Sequence, residues 1–232
     1  MYLLTETASP FALERWAAFF ANFGQFAKGF FYTLGISIGA LIVALLLGLI
    51  FGAMSSTHNK VFRGISRVYV EIFQNTPLLV QFVVVFYGVS ILTDGHVMIP
   101  ISLTAILCVG VYTGAYISEI IRTGIEAVPK GQTEAALSQG FTYADTMRII
   151  ILPQAVRTIL PPLTNQVVNL IKNTSTVAII SGADIMFTAK SWAYDTTNYV
   201  PAFAGAAFLY FIMCFPLATW ARRKEEENKK AY

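Results

Sequence analysis

From residue 30 to residue 54 the chain carries no charged residue and no proline, only apolar, small and hydroxyl side chains with an occasional glycine. Such a run leaves few structural options. It exceeds the roughly 20 residues that a helix needs to cross a bilayer, and a helix satisfies its own backbone polar groups where lipid offers none. The rest of the chain follows suit: of its 232 residues, 56% are hydrophobic and 12% charged, against about 25% charged in a soluble domain, and its mean hydropathy is +0.61. A soluble domain is excluded. The net charge of +3 comes with no basic, aromatic-interleaved surface, so nucleic-acid binding is set aside. Cys108 and Cys214 both fall within apolar runs, where neither a disulfide framework nor a metal site is expected. The first apolar run begins near Phe26 and is too long for a signal-peptide core, so it is expected to remain in the protein.

Four more segments follow. Residues 101–121 and 201–220 read as clear spans. The first is apolar up to Glu119 and Arg122, and the second is aromatic-rich and closed by Arg222, Arg223 and Lys224. Residues 69–92 contain Pro77, which removes a backbone donor and should break the helix or begin it afresh. Residues 162–181 are weak by hydropathy because they hold Asn165, Gln166, Asn169, Lys172, Asn173, Thr174 and Ser175. Lysine and arginine decide the orientation. They collect after the first span (Lys60, Arg63, Arg67), after the third (Arg122, Lys130, Arg148, Arg157) and in the tail, whereas 93–100 has none and 182–200 only Lys190. The expectation is an all-α integral membrane protein of about five transmembrane helices, N-terminus outside and C-terminus cytoplasmic. It divides into an external segment 1–25, a transmembrane domain 26–221 and a charged cytoplasmic tail 222–232.

The long connection between the third and fourth spans is structured. Residues 133–138 are rich in helix-favouring alanine, and Gly140 stands where helices commonly end in a left-handed residue. A second amphipathic helix is expected from Tyr143 towards Ile151, with Pro153 marking a stiff turn back to the membrane.

Within this connection Glu134, Ala135 and Ala136 are followed after three residues by Gly140, after nine more by Ile150, and after one more by Leu152 and Pro153. This spacing resembles the signature of the permease subunits of bacterial binding-protein-dependent ABC importers. The resemblance covers roughly residues 28–220, through NTPLLVQ (75–81), the segment 119–122, VPKGQ (128–132), ILPQAVR (151–157) and LPPLTNQ (160–166), and is nearest to the polar amino-acid uptake branch. It departs from the common form at KNTST (172–176), where a Lys-Asp-Thr-Ser run is usual.

The resemblance implies a multi-pass protein of the bacterial cytoplasmic membrane, working by alternating access. Its coupling loop, 122–157, carries a cytoplasmic coupling helix that docks in a groove on a separate ATPase. Glu134, Ala135, Ala136, Gly140, Ile150, Leu152 and Pro153 are then the docking residues. The implied partners are two ATP-binding subunits, a second permease, identical or related, and an extracytoplasmic amino-acid binding protein. No GxxxxGK[ST] loop is present. ATP and its Mg ion are therefore expected on the partner and no cofactor, metal or catalytic residue on this chain, which is not read as an enzyme. The expected cargo is a polar amino acid, with a lean to glutamine, glutamate or aspartate.

Charged groups inside a membrane cost at least about 2.5–3.5 kcal/mol on insertion scales, so polar residues in spans face a cavity or one another. Asn165, Asn169, Lys172 and Thr176 recur on one helical face. Asn169, Lys172, Asn173 and Thr174 are candidates for a substrate pathway, as are Asn75, Thr76 and Gln81 around Pro77, and Glu119, although Glu119, one turn before Arg122, better suits an ion-paired anchor at the cytoplasmic boundary. Lys172 has three readings: a contact for a substrate carboxylate, an internal partner of Glu71 or Glu119, or a side chain that snorkels towards a headgroup. Asn75 and Thr76 equally suit helix capping, and Glu134 suits either a basic group on a partner or the cap of its own helix. An ion-gradient-driven secondary amino-acid transporter is the alternative; it would call for paired broken segments in two halves, and Pro77 marks the one clear break.

Overall fold

The computed structural model describes residues 9–230; the first eight positions of the external segment and the last two of the tail lie outside the described residues. All regular structure among them is helical. A short helix α1 (Leu13–Ala21) leads into α2 (Phe23–Ser55). Helix α3 (Lys60–Gln74) is followed by α4 (Leu78–Val83), a π turn over Val84–Gly88 and α5 (Val89–Leu92). Helix α6 (Ile101–Glu126) precedes α7 (Lys130–Ser138), the single turn α8 (Tyr143–Asp145) and a second π turn over Thr146–Ile151. Helix α9 (Leu152–Asn173) passes into a 3-10 segment (Thr174–Ile180), then α10 (Ile185–Thr196) and α11 (Tyr199–Lys230).

Helices α2, α6 and α11 are long and apolar enough to cross a membrane, and the pair α3 with 78–92, bent by 97° about Asn75 to Pro77, passes the same test when its two arms are taken together. The break falls where Pro77 was expected to make one. Helix α9 does not pass on apolarity, because its polar residues dilute it.

Helices α2 and α6 form the densest pair in the bundle. Glycines allow the approach: Gly39, Gly48 and Gly52 of α2 lie against Ile106, Ile117 and Ile121, and Gly110 of α6 against Val43. Without a hydrophobic drive between helices in lipid, close backbone approach of this kind supplies the packing that holds spans together. One buried cluster runs from Ile36 and Ala40 through Val109 and Ile117 to Phe82 and Leu170. A second gathers Phe19, Phe26, Trp192, Ala193 and Leu209.

Three boundaries differ from the sequence reading. The first span begins at Phe23, and Phe19 of the segment before it is already core. Pro153 lies in the first turn of α9, where its missing N–H costs nothing; the helix therefore starts ten residues before 162 and runs through Pro161 and Pro162. The connection 182–200 contains helix α10, whose Ile185, Ala189, Trp192 and Ala193 form one buried face.

Candidate functional site

Helix α7 begins at Lys130, three residues earlier than expected, and ends in a motif that satisfies its last carbonyls. The N–H of Gly140 donates to Leu137 O at 3.0 Å and that of Phe141 to Ala136 O at 3.1 Å. Gly140 has φ +89°, a left-handed conformation in which a side chain is strained. Thr142 then caps the next turn, its hydroxyl accepting from the N–H of Asp145 at 3.2 Å and donating to that carboxylate at 2.6 Å. Each turn is thus closed by its own local hydrogen bonds.

The motif residues divide by direction. Ala136 is buried against the π turn, while Glu134 and Ala135 are exposed. Ile150 is half-buried, Leu152 and Pro153 exposed, and the core position is Ile151, which spacing alone did not single out. Helix α7 has no side-chain cap, and the Glu134 carboxylate has no bonding partner among the described residues. Of its two readings, the self-cap is not made. Behind the element, a cavity of about 620 Å³ separates Lys130, Thr133 and Glu134 from Ser56 and His58.

The pathway candidates fall in two other places. Asn75 and Glu119, distant in sequence, line one polar cavity of about 860 Å³ between α3 and α6. Asn75 donates to Glu71 O at 2.8 Å and Glu71 Oε2 at 2.9 Å, and Thr76 donates to Ile72 O at 2.6 Å. Gln81, nearly buried, donates to Phe73 O at 3.2 Å and Thr76 O at 3.0 Å. These three therefore satisfy carbonyls that the Pro77 break leaves open; the Oε1 of Gln81 is buried without a partner. Glu119 accepts from Arg122 Nε at 2.9 Å and from its Nη2, while Nη1 of Arg122 donates to Glu126. Lys60, Arg63 and Arg67 complete the basic lining, so four cations face the three acids Glu71, Glu119 and Glu126.

Lys172 is elsewhere. It borders a pocket of about 320 Å³ with Ser175, Met186, Phe203 and Tyr210. Glu71 and Glu119 are engaged by Arg67 and Arg122, which removes the internal pairing considered for Lys172. Asn165, Asn169 and Lys172 form an exposed polar face on α9, Asn173 is half-buried, and Thr174 is fully buried with its hydroxyl on Ile171 O at 2.7 Å.

Sequence reasoning missed Asp184. It is fully buried, and caps α10 by accepting from Met186 N at 3.0 Å and Phe187 N at 3.1 Å; Tyr210 donates to it at 3.2 Å. Burial pushes its carboxyl up to about 6. The signal was present: an aspartate directly before apolar residues at helical spacing.

Residues 44–225 match the family described as binding-protein-dependent transport system inner membrane component. The chain belongs to that family. It is 36% identical over 216 residues to the probable glutamine ABC transporter permease protein GlnM of Bacillus subtilis (strain 168), covering 92% of this chain and 97% of that one. It is 32% identical over 208 residues to the glutamate/aspartate import permease protein GltJ of Escherichia coli (strain K12), covering 82% and 85%. A solved amino acid ABC transporter with histidines superposes with a TM-score of 0.84 at 31% identity, over 91% of this chain and 98% of that one. Inward-facing MetNI, the methionine ABC transporter, superposes at 0.70 and 18% identity over 88% and 98%, a likeness of fold. As an inner-membrane component of the ABC-transporter permease type, the chain is a multi-pass membrane protein.

Proposed function

We propose that the chain is a permease subunit through which polar amino acids, with a lean to glutamine, glutamate and aspartate, are imported by alternating access. ATP hydrolysis on two partner subunits, which hold ATP and Mg, drives the cycle. Five spans carry it: α2, the broken pair at Pro77, α6, the polar helix α9 and α11, with the N-terminus outside and α7 in the cytoplasm. A second permease, identical or related, completes the pathway, and an extracytoplasmic binding protein delivers the solute.

One observation carries this reading: α7 is capped by its own Gly140 turn, leaves Glu134 and Ala135 exposed, and continues through α8 and the π turn into α9. Such an element offers a rigid surface to a partner and passes displacement directly to a helix bearing Asn165, Asn169 and Lys172. An exposed polar stripe on a spanning helix requires water or protein beside it, which supports a pathway along α9. The polar cavity lends the solute reading support, since its cations outnumber its acids and would disfavour a cationic amino acid over a neutral or acidic one. The relatives named for glutamine and for glutamate/aspartate point the same way.

The test is co-purification with the ATP-binding subunits, followed by ATPase assay with binding proteins loaded with a panel of amino acids. Stimulation by glutamine-, glutamate- or aspartate-loaded protein supports the proposal; stimulation by no amino acid overturns the solute assignment.

A further inference from the structure

Besides its direct link back to α6 through residues 127–129, α7 has two further ways into the bundle. The first is along the chain: α7 turns at Gly140, passes α8 and the π turn, and becomes α9. A π turn is a rare single-turn insertion in a helix and is frequent at functional sites. The second crosses space. The ring of Tyr143, on α8, stands edge-on to the ring of His58 at a centroid distance of 5.1 Å and an interplanar angle of 78°. His58 belongs to the turn between α2 and α3. Elsewhere that turn is kept from α7 by the 620 Å³ cavity.

What lies beyond His58 gives the contact its consequence. Two residues on, Lys60 opens α3, which is fixed to its neighbours at three points. Ser66 donates to Phe51 O at 2.7 Å, Tyr69 to Val111 O at 2.7 Å and Gln74 to Ala115 O at 3.2 Å. Helix α3 is thus a stiff lever. It ends at the 97° break beside Asn75 and carries one wall of the polar cavity. A push on the α2–α3 turn reaches that cavity and that break, whereas a push along α9 reaches Lys172.

We infer that Tyr143 and His58 are positioning residues that carry movement of α7 to α3, so that the cavity between α3 and α6 opens in step with α9. The inference rests on the function proposed above. Neither residue touches solute or nucleotide; their ring contact sets how much transport each ATP supports.

The experiment uses the complete transporter in proteoliposomes, with uptake and ATP hydrolysis measured on the same preparation. Tyr143→Ala and His58→Ala are each expected to assemble with the ATP-binding subunits and hydrolyse ATP within about twofold of the parent, while uptake per ATP falls by about fivefold. The double variant should fall no further than either single one, because the two share one contact. Tyr143→Phe and His58→Phe, which keep a ring, should restore the ratio. An unchanged ratio in either alanine variant overturns the inference. So does an additive double variant, or loss of the ATP-binding subunits from the complex, which would make the two rings part of the docking surface. Failure of the underlying function would look different, since the parent itself would then neither bind those subunits nor take up solute.

Discussion

Ile117 of α6 packs so closely on Gly48 of α2 that a Cβ on that glycine would stand 2.4 Å from its Cγ2. Gly35, one turn from Gly39 on the same helix, has nothing within 4 Å of its own Cβ position. Gly48→Ala should therefore force the helices apart, at about 1–3 kcal/mol, and lower the thermal midpoint of the detergent-solubilised protein. Gly35→Ala should leave that midpoint unchanged, and Ile117→Ala in the Gly48→Ala background should recover part of the loss. Equal effects at the two glycines would contradict the packing.

Gly140 tests the coupling element in isolation. Its φ of +89° makes an alanine there strained by about 1–2 kcal/mol, with no Cβ neighbour to clash. Gly140→Ala is expected to lower the thermal midpoint by only a few degrees and to depress ATP-dependent uptake several-fold. Uptake at the parent rate would mean that the turn after α7 has no mechanical part.

Asp184 gives a pH dependence with a definite sign. Its carboxyl is raised from 3.8 to about 6 by burial, so the folded protein holds this proton more tightly than the unfolded chain. The stability it contributes is complete below pH 4 and is lost as pH rises through about 6. Asp184→Asn, which can still cap α10, should flatten the change in thermal midpoint between pH 4 and 7. A midpoint whose slope survives that substitution would place the titration on another group.

The excess of cations in the cavity between α3 and α6 makes a prediction about cargo. Arg63, with no ion-pair partner among the described residues, lines that cavity, and Arg63→Glu reverses its sign. Uptake of glutamate and aspartate should fall several-fold relative to glutamine, and more steeply at low ionic strength because exposed charges are screened by salt. An unchanged ratio would remove the cavity from the solute's route.

The spans 30–54, 101–121 and 201–220 were legible because each is long and nearly uncharged, a pattern that leaves lipid as the only compatible surroundings. The break at Pro77 was legible because one residue type forbids a continuous helix. The polar fourth segment was located, but not where it begins: Pro153 reads as a stop and is in fact in a first helical turn, and Pro161 and Pro162 lie within the helix. Helix α10 was hidden by length, its twelve residues falling in a connection judged by charge alone. The residues of the motif around Glu134 were all legible, yet which of them face outward was not, since burial of Ala136 beneath exposed Glu134 and Ala135 depends on the π turn. The junction of Asn75 with Glu119 in one cavity arises from the packing of α3 on α6, a tertiary relation that spacing along the chain does not encode.

The central claim is that an exposed helix of this chain receives its motion from a foreign ATPase, and Ala135→Arg tests it most directly. The substitution adds a large cation to an exposed position without disturbing buried Ala136. Solute uptake should be measured in proteoliposomes holding this chain, its ATP-binding subunits and the loaded binding protein. ATP on the ATPase side is predicted to drive uptake in the parent and not in Ala135→Arg, with no uptake under an ion gradient alone. Uptake that follows an ion gradient without ATP, or that persists with ATP in Ala135→Arg, would contradict the account.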